Sequence, residues 1–123
     1  MAIARRRTRE VCAADLKIGG AAAISVQSMC NTDTRDVLST KAQIKRLKEA
    51  GCDLVRLAVP DAQAADALKD IVPGAGIPIC ADIHFDYRLA LRCMDFPIAK
   101  VRINPGNIGE EWKVREVVSK AGD

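Results

Sequence analysis

Arg56, Asp82, His84, Lys100, Arg102 and Asn104 are charged or polar, yet each interrupts a run of aliphatic residues. In "DLVRLAV" (53–59) Arg56 alternates with Val55 and Leu57. In "IPICADIHF" (77–85) Asp82 and His84 alternate with Ala81 and Ile83, and in "IAKVRIN" (98–104) Lys100, Arg102 and Asn104 alternate with Val101 and Ile103. Successive side chains of a strand point to opposite faces, so each run carries one apolar face and one polar face. Arginine offers a forked donor to a carboxylate or phosphate, and lysine a point charge. Asp82 and His84 suit acid/base work or hydrogen bonding to a substrate. If its strand continued through Asp86, "DIHFD" would also supply oxygen and nitrogen ligands for a divalent metal. A hydrogen-bonded histidine at a strand end is the plainer reading.

Inward-facing cations need counter-ions, because removing a charge from water unpaired costs several kcal/mol. Asp82 is an internal candidate for Arg56 or Arg102, in which case the cluster is a structural ion-pair network. Two or three cations against one carboxylate leave positive charge over, and that excess favours an anionic ligand. The "NPGNIG" stretch (104–109) reads as a turn at Pro105-Gly106, with Gly106 and Gly109 permitting close approach of the backbone. Its amides, ahead of a helix, could also receive an anion.

The elements that must position these groups follow a strand-then-helix rhythm. Strands are predicted over 23–29, 53–59, 77–85 and 98–104. Helices are predicted from Thr34 or Asp36 to Ala50, over 62–72, over 87–94 with Asp86 as cap, and over 110–121. Glu110 and Glu111 fall at the positive end of the last helix. In the first strand Ile24 and Val26 should pack beneath helices, leaving Ser25, Gln27 and Met29 on the polar face. Alternating strands and helices imply a parallel sheet with right-handed crossovers. A doubly wound sheet wants apolar residues on both faces, whereas a barrel has an interior that converges on a ligand at the strands' C-terminal ends. The expectation is an α/β fold: the (βα)4 half of a TIM (β/α)8 barrel over 23–123, after a hairpin-like leader over 1–22.

Composition narrows the function classes. The net charge of +3, much of it in "RRRTRE", is too small to imply a nucleic-acid partner by itself. Phe85, Tyr87, Phe96 and Trp112 are too few for base-stacking platforms. No apolar run is long enough to span a membrane. Cys12, Cys30, Cys52, Cys80 and Cys93 form an odd set without Cys-x-x-Cys spacing, which reads as mostly buried, reduced thiols in a cytoplasmic protein.

Four segments, "ISVQSMCNTDTRD", "AGCDLVRLAVP", "ADIHFDYRLAL" and "VRINPGNIG", occur together in an order and spacing that carry a family resemblance. From about Thr8 onward the chain is similar to the N-terminal part of the 4-hydroxy-3-methylbut-2-en-1-yl diphosphate synthases, iron–sulfur reductases of non-mevalonate isoprenoid biosynthesis. The resemblance implies a barrel that holds 2-C-methyl-D-erythritol 2,4-cyclodiphosphate. It also implies a C-terminal domain with a 4Fe-4S cluster fed by ferredoxin or flavodoxin, and a homodimer in which that domain closes over the partner's barrel. Carried over by motif, Arg56 and Arg102 match diphosphate-binding arginines, and Gln27, Asp82, His84 and Asn104 match polar positions of the same mouth. Cys30 departs from the family, which usually has Thr there, and "CMDFPIAK" replaces a more usual Gly-Val-Asp run. The cluster ligands of the family belong to the C-terminal domain, so this chain is expected to bind no cofactor or metal and, as a fragment, to be inactive alone. Alternatives are a non-catalytic phosphate-binding or assembly half-barrel, and a barrel enzyme of another class, such as a pterin-binding synthase or an aldolase using Lys100.

Overall fold

The computed structural model describes residues 3–4 and 6–122. A small antiparallel hairpin comes first, β1 (Val11–Ala13) against β2 (Leu16–Ile18), in the register Val11↔Ile18 and Ala13↔Leu16. The two-residue turn between them places Ala14 at φ 52°, a conformation that a side chain disfavours. The tip of the hairpin, Ala14 and Asp15, lines a cleft with Ile77, Pro78, Ile79, Pro97 and Ala99, below the N-terminal ends of the later strands.

The remainder is strand and helix in turn: β3 (Gln27–Met29), α1 (Val37–Glu49), β4 (Leu54–Ala58), α2 (Ala62–Ile71), β5 (Ile79–Ile83), α3 (Tyr87–Cys93), β6 (Lys100–Ile103), a single turn α4 (Pro105–Ile108) and α5 (Glu111–Ala121). Side chains at the N-cap positions start four of these helices. Asp36, Asp61, Asp86 and Asn104 accept from the backbone N–H of Ser39, Ala64, Arg88 and Gly106 respectively. Gly51, at φ 98°, lets the chain leave α1 and turn into β4.

The strands lie in the order β3-β4-β5-β6 and every pairing is parallel. A doubly wound sheet reverses its strand order at a switch point, whereas strictly sequential order is how a (β/α)8 barrel is laid down. The core confirms the one-sided arrangement. Val55, Leu57, Ile79, Ala81 and Ile83 pack against Ile44 of α1, Ala65 and Leu68 of α2, and Leu89 and Ala90 of α3. Leu57 is wholly buried, and burial of such a side chain contributes about 1.5–3 kcal/mol.

Three expectations need correction. The first strand is only Gln27–Met29, because its ladder extends no further than β4 allows and β4 starts at Leu54. Ahead of it, Val26 exchanges bonds with Asp53 in an irregular link, and Ile24 and Val26 are exposed rather than packed beneath helices. The last strand ends at Ile103, so Asn104 is a helix cap and not a strand residue. What reads as a Pro-Gly turn is the helical turn α4, with Pro105 at its first position.

Candidate anion-binding site

Register fixes which side chains share the face away from the helices. Met29 lies beside Arg56, Arg56 beside Cys80, and Cys80 beside Lys100. One layer closer to the C-terminal ends, Ala58, Asp82 and Arg102 are neighbours. Alternation along each strand thus puts Arg56, Asp82, Lys100 and Arg102 on one surface, as the sequence pattern predicts.

At its centre the Asp82 carboxylate is only 2% exposed. Its Oδ1 accepts a hydrogen bond from Arg102 Nη1 at 3.1 Å. Its Oδ2 lies 3.2 Å from His84 Nε2 and 3.4 Å from Arg56 Nε. The contact with Arg56 is an ion pair without a hydrogen bond, which leaves Arg56 Nε buried and unsatisfied. The other end of that guanidinium, Nη2, donates to the thioether of Met29 at 3.3 Å. Arg56, His84 and Arg102 each keep roughly a third or more of the side chain in contact with solvent. One buried carboxylate therefore orients three partly exposed nitrogen bases. It cannot neutralise two arginines, and the exposed Lys100 adds to the excess on the same face.

The loop that follows β3 is tied down by polar groups. Thr34 Oγ1 donates to Ala58 O at 2.6 Å, and Gln43 Oε1 accepts from the N–H groups of Asn31 and Thr32. Arg35 bridges Asp33 and Asp61, joining the loops after β3 and β4. Sequence reasoning missed Met29, Thr34 and Gln43. Met29 had a signal, since it shares the polar face of its strand. Thr34 and Gln43 had none, because a tertiary contact decides what they bond.

The remaining candidates are placed differently. Gln27 occupies the right face but stands beside Leu54, one layer below Arg56. The Asn104 side chain is engaged by Gly106 N at 3.0 Å. Asp86 turns away to cap α3 and pair with Arg88 at 3.0 Å, an interaction that holds its carboxyl below the usual range. Asp82, His84 and Asp86 therefore form no common ligand set, because the strand ends at Ile83.

The thiols do not assemble either. Cys30, Cys80 and Cys93 are buried, Cys52 is half-buried and Cys12 exposed. Burial pushes the Cys30 thiol up to about 11 and that of Cys93 up to about 12. The Cys30 side chain belongs to the core under the helices. Among the described residues no three His, Cys, Asp or Glu side chains come together in a set able to hold a metal ion.

Comparison with known proteins adds an independent line. The GcpE TIM-barrel domain family matches residues 8–123. The chain is 61% identical over 119 residues to the 4-hydroxy-3-methylbut-2-en-1-yl diphosphate synthase (flavodoxin) of Maridesulfovibrio salexigens, covering 97% of this chain and 33% of that protein. It is 54% identical over 121 residues to the enzyme of the same name from Symbiobacterium thermophilum, covering 98% and 33%. Against that of Geobacter sulfurreducens the identity is 54% over 117 residues, covering 95% and 33%. The chain spans about a third of the length of these curated relatives.

Proposed function

The chain belongs to the GcpE TIM-barrel domain family, and on that premise we propose that it forms the first half of the substrate-holding barrel of a 4-hydroxy-3-methylbut-2-en-1-yl diphosphate synthase. The substrate in this reading is 2-C-methyl-D-erythritol 2,4-cyclodiphosphate, which the enzyme opens and reduces in cytoplasmic isoprenoid biosynthesis. The observation that carries the reading is the Asp82 cluster, where one buried carboxylate is bracketed by two arginines whose combined charge it cannot cancel.

In this reading Arg56 and Arg102 clamp the diphosphate, and Lys100 adds a point charge that draws the anion in. Asp82 orients the arginines and His84 together. Because His84 Nε2 faces the carboxylate, its Nδ1 is the nitrogen left to exchange a proton with the substrate. Asn104 serves through the turn it caps, and Gln27 contributes from the layer below.

Reduction needs a redox group, and an iron–sulfur cluster is the one the family implies. The residues described here do not fit it: their cysteines are dispersed, and those buried are held as neutral thiols. The relatives are named for flavodoxin, and a flavodoxin or ferredoxin is the proposed electron source of the whole enzyme, acting on a homodimer.

A chimera tests this reading. The corresponding third of the Maridesulfovibrio enzyme is replaced by this chain, and conversion of the cyclic diphosphate is followed anaerobically with reduced flavodoxin. Turnover near that of the parent is expected. A chimera that folds and carries its redox centre yet does not turn over would contradict the assignment.

A further inference from the structure

We propose that Met29 is a positioning residue for Arg56, holding its guanidinium in the orientation that receives the anion; the proposal rests on the anion-binding reading of Arg56 given above. Arg102 is held by a direct hydrogen bond to Asp82, but Arg56 is not. Its Nε is the one buried side-chain polar atom without a hydrogen-bond partner among the described residues. Beside the ion pair with Asp82, the guanidinium is held by the hydrogen bond from Nη2 to Met29 Sδ at 3.3 Å. The two residues are direct cross-strand neighbours, so the backbone ladder itself sets this contact.

The chemistry of the contact suits the task. A thioether is a weak, uncharged acceptor. It orients the arginine without supplying an anion, so the positive charge remains for a ligand. Orienting a long side chain beforehand also removes part of the entropy loss that binding would otherwise incur. Met29 lies beside Arg56 on the polar face and outside the aliphatic core under the helices, so it is not a filler of that core.

The test is calorimetric titration of the full chain with inorganic diphosphate at low ionic strength. Four variants are compared with the parent: Met29→Leu, Met29→Gln, Arg56→Lys, and Met29→Leu combined with Arg56→Lys. Loss of one hydrogen bond to a weak, uncharged acceptor predicts about threefold to tenfold weaker binding for Met29→Leu. Met29→Gln, which restores an acceptor at similar reach, should recover most of it. In the Arg56→Lys background, Met29→Leu should cost nothing further. If Met29→Leu binds like the parent while Arg56→Lys binds weakly, positioning by Met29 is wrong and the anion site stands. A loss that Gln does not rescue, or that is equal in both backgrounds, assigns Met29 a packing role and overturns the proposal. If Arg56→Lys itself binds like the parent, the anion-binding reading falls and the proposal with it.

Discussion

Replacing Asp82 by Asn deletes one charge from the centre of the site while keeping its shape. Removing one partner from a buried ion pair costs about 3–5 kcal/mol, because the other partner is left uncompensated. The arginines here are 31% and 40% exposed along the side chain and can swing toward water. Allowing for that solvation, the expected loss is about 2–3 kcal/mol. With a urea dependence of about 2 kcal/mol per molar, the unfolding midpoint falls by roughly 1–1.5 M. The assay is urea unfolding followed by circular dichroism, with and without inorganic diphosphate. The ligand should raise the midpoint of Asp82→Asn more than that of the parent, since it replaces the missing counter-ion. A variant as stable as the parent, with no extra response to diphosphate, would refute the claim that Asp82 balances buried positive charge.

Three further outcomes follow from the fold and the thiols. Leu57→Ala should destabilise by about 2–5 kcal/mol, because Leu57 is fully enclosed between sheet and helices; a loss below ~1 kcal/mol in urea unfolding would contradict that packing. Ala14→Gly should raise stability by about 0.5–1 kcal/mol by relieving the positive φ in the hairpin turn, and a lower melting temperature would argue against the turn described. Burial raises the Cys93 thiol from 9.0 to about 12, so its contribution is complete below pH 9 and declines as pH rises toward 12, at about 1.4 kcal/mol per pH unit. Unfolding curves across this range should lose part of their alkaline slope in Cys93→Ala; an unchanged slope would mean that this thiol is not held neutral by the fold.

The polar face of the sheet was legible because strand alternation is a local rule. Once Val55, Leu57, Ala81 and Val101 are given to the helices, Arg56, Asp82 and Arg102 have only the other side. Caps were legible for the same reason, as with Asp86 before α3. The length of β3 was not, since Ile24 and Val26 are good strand residues whose pairing depends on where β4 begins. In "NPGNIG" an Asn cap followed by Pro at the first helical position does signal a helix start, but four residues are too few to show helical periodicity. The ion pair of Arg56 with Asp82 was legible, but its hydrogen-bond acceptor was hidden, because a methionine on a polar face does not announce itself as one.

The most direct test of the proposed diphosphate site is to map amide chemical shifts while adding 2-C-methyl-D-erythritol 2,4-cyclodiphosphate to the chain at low ionic strength. The predicted shifts cluster at 56–58, 82–84 and 102–106, and they disappear when Arg56 and Arg102 are both changed to Gln. Shifts confined to the lysines of α1 or to the N-terminal arginines, or none at millimolar ligand, would contradict a diphosphate site on this face of the sheet.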